Sequence, residues 1–363
     1  MKNKRIILIT LLCTSLYADP FTAAPGSKAR GMAGAYTAIS NTTEAGYYNA
    51  AGTASLKTDK DYKFVSLGYT QNALDASTYM SNNSYDNYRN TNDLYFDIGY
   101  VSNNWGISYV LYNMTLLTSD EKFINTSVGT LGVGFSPYEK VSFGLSLMMP
   151  SFISMVTSSG DDPAPDVPVY LNYMAFAASV KAKIFKNDQS SFDIGAVYRF
   201  GIEWENSVYA TDILQERRIN TGIPTKLSLG ANYNVSIGSG ALAISAEYDI
   251  TYLSSVTNKI ENDGIYKSRS DTIPNSSAFT ESTTVGIGAE YAMSSVFVRA
   301  GYATTEIGRV DGNNWNQSII SAGLGVPFHG NIYEFSIENR TYDFKQPSDE
   351  NSILFTLAGH FNF

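Results

Sequence analysis

The 363-residue chain has one cysteine, two histidines, few charges and no apolar run long enough to cross a bilayer as a helix. Each shortage excludes something. A single thiol, Cys13, cannot form an internal disulfide and leaves no Cys-based metal motif. His329 and His360 are far apart, and neither has a second histidine or a cysteine at ligand spacing, so the sequence predicts no metal site. No G-x-S-x-G elbow, Walker loop or dinucleotide fingerprint is present, so the sequence points to no catalytic residue, no cofactor and no enzyme. Charged residues make up 16%, against about 25% in an ordinary soluble protein. The formal charge of −9 makes nucleic acid a poor partner.

What the chain has instead is alternation. In its last stretch Ile353, Phe355, Leu357, Phe361 and Phe363 fall on one face, and Leu354, Thr356, Ala358, His360 and Asn362 on the other. That is a period-two strand with one apolar side. A final strand closing on Phe363 resembles the last strand of bacterial outer-membrane β-barrels, which implies barrel-assembly machinery as a partner. The amino terminus agrees. Lys2, Lys4 and Arg5 precede a short apolar run at 6–12 and a small residue at Ala18, which reads as a secretory signal over residues 1–18. Leu11 and Leu12 before Cys13 do not make a lipoprotein box. Cleavage after Ala18 would remove three basic residues, shift the formal charge to −12 and leave no cysteine.

Alternation predicts fourteen strands, at 63–71, 93–101, 105–114, 127–135, 140–149, 169–184, 191–204, 225–236, 241–252, 283–291, 296–304, 318–326, 332–342 and 352–363. Most reach the ~9–11 residues that a tilted strand needs to cross a bilayer. The connections alternate in length. Short ones at 102–104, 136–139, 185–190, 237–240, 292–295 and 327–331 are interleaved with long ones such as 72–92, 150–168, 205–224 and 253–282. Short turns on one side and long loops on the other are the pattern of a membrane barrel. Aromatics near strand ends suggest two interfacial girdles, with Tyr100, Trp105, Tyr138, Phe143, Phe328 and Tyr333 at the turn side and Tyr69, Tyr95, Tyr112, Trp204 and Tyr252 at the loop side. The expected fold is thus all-β, a fourteen-stranded antiparallel transmembrane barrel over residues 61–363, with lipid (or detergent in its place) around it.

Residues 19–60 show no such alternation and are rich in glycine and alanine. A fourteen-stranded barrel is wide enough to hold water unless something fills it, and a compact segment of small residues is a natural plug. Inward-facing glycines, among them Gly132, Gly134, Gly144, Gly195, Gly230, Gly286, Gly288 and Gly323, leave room for one.

Within that segment stand Gly31-Met32-Ala33-Gly34-Ala35 and Tyr47-Tyr48-Asn49-Ala50-Ala51-Gly52. They resemble the opening of the FadL/TodX family of outer-membrane transporters for fatty acids and aromatic hydrocarbons, which carries a small-residue stretch followed by Tyr-Tyr-Asn-Pro-Ala-Gly. Ala50 stands where that family has proline, which removes a kink expected to help position the plug. The resemblance implies an N-terminal hatch built on Gly31, Met32, Gly34, Tyr47, Tyr48, Asn49 and Gly52, location in the outer membrane of a Gram-negative bacterium, and passive uptake of a small hydrophobic ligand. TraF-like and PorV-like barrels share this opening, so a scaffold that assists conjugation or secretion stays open as an alternative, and a polar-solute pore as another.

The candidate site residues follow from the inward faces. Arg199, Glu203, Glu247, Asp249, Arg299 and Arg340 are placed in the lumen, where they either pair with one another and with the plug or hold a ligand headgroup. Phe152, Ile153, Met155 and Val156 form an apolar patch in the connection 150–168, either a capture surface for hydrophobic molecules or an extension of the fifth strand. His360 on the inner face of the last strand could serve as a general base, but no serine is singled out to pair with it.

Overall fold

The computed structural model describes residues 25–55, 62–72, 88–118, 123–156, 167–172, 174–210, 215–252, 259–263, 271–272, 279–309, 312, 314–343 and 350–362. The expected signal over residues 1–18, and Phe363, lie outside them. Two short helices, α1 (Ser27–Gly31) and α2 (Ala45–Tyr48), and a 3-10 turn (Ala50–Ser55) come first. The strands follow: β1 (Tyr62–Asn72), β2 (Tyr88–Val101), β3 (Trp105–Thr118), β4 (Phe123–Tyr138), β5 (Val141–Val156), β6 (Val167–Asn172), β7 (Ala175–Lys186), β8 (Ser190–Arg199), β9 (Ile202–Ala210) and β10 (Gln215–Ile223). They continue with β11 (Thr225–Ile237), β12 (Gly240–Tyr252), β13 (Lys259–Asp263), β14 (Asp271–Thr272), β15 (Phe279–Ala292), β16 (Phe297–Arg309), β17 (Trp315–Phe328), β18 (Asn331–Asp343) and β19 (Glu350–Asn362).

Every wall strand pairs antiparallel with its neighbours in sequence, and β1 pairs with β19, so the sheet closes on itself. Counting β6 with β7, β8 with β9, and β10 with β11 as single wall positions gives a closed barrel of fourteen strands. Closure removes the sheet edges that would otherwise present unpaired backbone. All fourteen predicted strands are present.

The alternation produces the two faces. Along β17, Gln317, Ile319, Ser321, Gly323 and Gly325 are buried, while Ile320, Ala322, Leu324 and Val326 are exposed. The exposed set of the whole barrel includes Leu145, Phe176, Ile287, Leu324, Leu357 and Phe328, each 47% or more accessible. So continuous an apolar outer surface belongs in lipid rather than water. Tyr100 packs against Trp105 with ring centroids 5.2 Å apart, and Tyr138 is 72% exposed at the short-turn end, as girdle residues are. Two expected girdle members do not belong to it. Tyr95 and Tyr112 are 2% exposed and point inward, because their register places them on the lumen face beside Ala358. The side chain of Trp204 lies outside the described residues.

Two expected loops contain whole additional strands, beyond the extensions of wall strands into other loops. Residues 205–224 hold the end of β9 and all of β10, and 253–282 holds β13, β14 and the start of β15. Strands β14, β13, β10 and β9 form a separate four-stranded sheet. Alternation around Arg217, Arg218 and Glu216 is polar on both faces, which hides such strands from a reading based on one apolar face.

Residues 25–55 lie inside the ring of wall strands. Gly46 backs onto Gly132, Gly31 onto Gly323, and Met32 onto Gly288 and Gly301. Thr53 and Ala50 meet Gly106 and Gly134, Ala51 meets Gly144, and Thr37 and Ala38 meet Gly195 and Gly230. A Cβ built on Gly132, Gly134, Gly144, Gly195 or Gly230 would stand 2.2–2.7 Å from backbone of this segment. These inward glycines are therefore places where wall and segment backbones touch.

Candidate functional site

The N-terminal segment is held by hydrogen bonds and ion pairs to the wall at many points. Its first helix carries two bases. Lys28 reaches Glu290 of β15 at 2.8 Å, and Arg30 reaches Glu338 of β18 at 3.3 Å. Glu247 of β12 accepts the backbone N–H groups of Tyr36 at 2.9 Å and Thr37 at 2.7 Å, and also the Thr37 hydroxyl. Lys181 of β7 donates to the carbonyl of Ile39. These are the orphan backbone groups of an irregular segment, and wall side chains satisfy them where no secondary structure can.

The Tyr47-Tyr48-Asn49 run sits at the centre. Tyr47 packs on the cluster of Val128, Met148 and Ala175, and Tyr48 on Ala29, Met32, Tyr36 and Ile39. Asn49 donates to Thr37 O at 2.9 Å and to Val180 O of β7 at 3.2 Å, and accepts from Ala51 N at 3.1 Å. One amide thus ties the segment to itself and to the wall. Gly52 is required by close approach, since a Cβ there would stand 2.2 Å from Ser40 O. Gly34 is required by its backbone, at φ 82°. The chain still turns at Ala50 without a proline ring, because Asn49 is extended at φ −156° between α2 and the 3-10 turn. Burial pushes the Tyr36 phenol well above its usual range, so it stays neutral beside Thr42 at 2.6 Å.

On the long-loop side of this segment lies a cavity of about 120 Å³. Its lining includes Arg30, Gly34, Tyr47 and Tyr48 from the segment, and Arg199, Lys226, Glu247, Asp249, Glu338 and Arg340 from the wall, beside apolar Met148, Val197, Ala303 and Ile319. Lys226 pairs with Asp249 at 3.1 Å and Arg340 with Glu338 at 2.8 Å. Four of the six lumen candidates therefore converge on one chamber: Arg199, Glu247, Asp249 and Arg340. Arg299 does not. It is 3% exposed, beneath the chamber, with Glu290 at 2.6 Å and Glu334 at 2.7 Å. Glu203 lies on β9, but its side chain is outside the described residues.

Beside the chamber the wall is interrupted. Three consecutive wall positions lose strand geometry at one level: Met174 precedes β7, Phe200 and Gly201 separate β8 from β9, and Pro224, which has no N–H to give to a ladder, separates β10 from β11. The Phe200 N–H donates to Phe176 O at 2.9 Å, but among the described residues no ladder joins β6 to β9. Met174, Phe176 and Phe200 are each about half exposed around the break. The patch Phe152, Ile153, Met155 and Val156 is part of strand β5, paired with β4 and β6, rather than a loop. Its side chains are outside the described residues.

The sequence singles out His360 but not the partners through which it joins the segment to the last strands. His360 Nδ1 faces Ser66 Oγ of β1 at 2.8 Å and Thr43 Oγ1 at 3.2 Å, and its Nε2 faces Glu334 at 3.1 Å. Ser66 is the serine that pairs with His360. It is fully buried under Thr43, whose hydroxyl lies 2.7 Å from it, so this Ser–His–Glu row supports the segment and meets no solvent. Only the cross-strand register of Ser66 and His360 could have found it.

Searches against protein-family models and against curated proteins find no match. Solved structures do match. The CymD monoaromatic hydrocarbon channel superposes with a TM-score of 0.67 at 12% identity, covering 94% of this chain and 98% of that one. The toluene transporter TbuX of Ralstonia pickettii gives 0.62 at 12% identity, with 94% and 99% covered. A FadL homologue of Pseudomonas aeruginosa gives 0.61 at 13%, with 93% and 98% covered. This chain has their fold. At such identity the likeness fixes backbone architecture, and the side chains of the chamber are this chain's own.

Proposed function

We propose that this protein is an outer-membrane channel of the FadL/TodX type for passive uptake of small hydrophobic compounds, with residues 25–55 as its hatch. The observation that carries the reading is the chamber itself, a partly open recess walled by apolar and charged side chains. It lies inside a lipid-exposed barrel, its floor is the N-terminal segment, and one side adjoins the interrupted wall. The chamber has a volume of about 120 Å³, and apolar Met148, Val197, Ala303 and Ile319 line it beside the charged groups. Uptake would proceed from the long-loop side, past the outer part of β5, into the chamber. Onward passage requires either the hatch to shift or the break beside Met174 and Phe200 to admit the ligand to the bilayer. The supporting comparisons are to transport channels, and the row at His360 has no access to substrate, so we assign no enzymatic activity.

A second reading, a polar-solute pore, is favoured by one feature: seven charged side chains line the chamber. Reconstitution separates the two. Proteoliposomes should take up toluene or a long-chain fatty acid faster than lipid alone, and Ala303→Phe, which fills the chamber from β16, should return uptake to the lipid rate while leaving assembly intact. Uptake no faster than lipid alone, with ready passage of sugars or ions, would replace the first reading by the second.

A further inference from the structure

A single file of charges crosses the floor of the lumen. It begins at Lys28 on the N-terminal segment, 2.8 Å from Glu290 of β15. Glu290 is 2.6 Å from Arg299 of β16, and Arg299 is 2.7 Å from Glu334 of β18. Glu334 is 3.1 Å from His360 of β19, and His360 is 3.9 Å from Glu44, back on the segment. The file therefore starts and ends on the segment and in between takes its members from four wall strands, β15, β16, β18 and β19, passing over β17. Its six members are all at most 9% exposed.

The signs alternate from base to acid along the whole file only if His360 carries two protons. Its hydrogen bonds fit that state. Nε2 donates to Glu334 at 3.1 Å, and Glu44 Oε1, buried with no hydrogen-bond partner among the described residues, lies 3.9 Å from it, where a charged imidazole would balance it. Nδ1 faces Ser66 and Thr43, and the Thr43 proton is given to Asp97 Oδ2 at 2.9 Å, which leaves that hydroxyl oxygen to accept. The titratable groups around His360 are Glu334 on β18, Glu44 on the segment and Asp97 on β2, with Arg299 behind Glu334 and the phenols of Tyr36 and Tyr95 nearby. A buried row tolerates charge when it is balanced, and loses several times the strength of a surface pair when one partner is neutralised.

We propose that His360 is a proton-operated latch for the N-terminal segment: charged, it completes the alternating file and holds Glu44 and the segment against the wall; neutral, it leaves an unbalanced buried carboxylate and the segment lets go. The inference rests on reading that segment as the hatch. It assigns Glu44 as the segment's side of the latch and Glu334 as the group that positions the imidazole.

The test uses the full chain in membranes with Ser108→Cys as reporter. Ser108 lies directly beneath Gly46, so its replacement is reached by a thiol reagent only when the segment leaves. At one fixed pH, His360→Gln should speed labelling by about two orders of magnitude. Glu44→Gln combined with His360→Gln, which restores an equal count of acids and bases, should return labelling to the parent rate. Conductance of the parent in planar bilayers should be lowest near neutrality and climb as pH rises, and in the double variant it should not climb. Equal labelling of parent and His360→Gln, or failure of the double variant to recover in a barrel that retains its folded gel mobility, overturns the latch. Labelling that responds while conductance stays low instead overturns the hatch reading and leaves the latch standing.

Discussion

Two glycines on one strand give the sharpest test of how the segment is seated. Gly286 and Gly288 both lie on the lumen face of β15, two residues apart, and both have ordinary backbone conformations. A Cβ at Gly288 would stand 2.7 Å from Met32 Cβ and 2.7 Å from Met32 O. A Cβ at Gly286 would have nothing closer than 3.5 Å, an ordinary van der Waals contact. Gly→Ala at an unhindered site gains about 0.4–1 kcal/mol from the stiffer unfolded chain. Overpacking costs about 1–3 kcal/mol, and Met32 is fully buried with no direction in which to yield. Gly286→Ala should therefore be neutral or slightly stabilising. Gly288→Ala should shift the docking equilibrium of the segment by about 1–3 kcal/mol, a factor of roughly 5 to 150 in the undocked population. The Ser108→Cys labelling rate reads that factor directly, with folded gel mobility confirming an intact barrel. Equal labelling of the two variants, or a larger effect at Gly286, would refute the claim that the segment is seated by backbone contact against these glycines.

Other consequences are open to simpler measurements. Leu357→Arg, on a residue 58% exposed on the outer face, should cost ~2–4 kcal/mol of barrel stability in lipid, read from denaturant titration. Asn49→Leu removes hydrogen bonds to Thr37 O and Val180 O, each contributing about 0.5–1.5 kcal/mol, so it should raise conductance without lowering assembly. A protease site placed between Ile237 and Gly240, in a short turn, should be protected on intact cells, while one at 73–87 should be cut; the opposite pattern would invert the topology. Deleting Phe363 should sharply reduce the folded outer-membrane fraction, measured by heat-modifiable mobility.

How much of this was legible depended on which interactions have a period. Outward Ile320, Leu324 and Val326 alternate with inward Ser321, Gly323 and Gly325, so the strands, their faces and the barrel could be read directly. Pro224 stands in the sequence as a strand breaker, but its alignment with the breaks at Met174 and at 200–201 depends on the register between strands, which no single strand encodes. Tyr95 and Tyr112 were misplaced for a related reason: proximity to a strand end was weighed above parity, and parity sends both inward. The segment's small residues suggested close packing, yet the particular partners, such as Gly46 with Gly132, needed the three-dimensional path. Long-range ion pairs were the least visible. Lys28 and Glu290 are 262 residues apart, and nothing local marks either one.

The two kinds of contact that seat the segment have different consequences for movement. Contacts between glycine and alanine backbones, as at Gly31 against Gly323 and Ala51 against Gly144, exclude water over a wide area but are short-ranged and largely non-directional. They make a tight seal with little preference for one register over a shifted one. The preference comes from a few directional anchors: Glu247 on Tyr36 and Thr37, Arg30 on Glu338, Asn49 on Val180, and the charge file from Lys28 to Glu44. Arg30, Glu247 and Glu338 also line the chamber. A ligand entering it, on the proposed function, would meet three of those anchors directly. On the proposed hatch reading, competing for those few bonds would release the segment without unfolding either the segment's own turns or the wall.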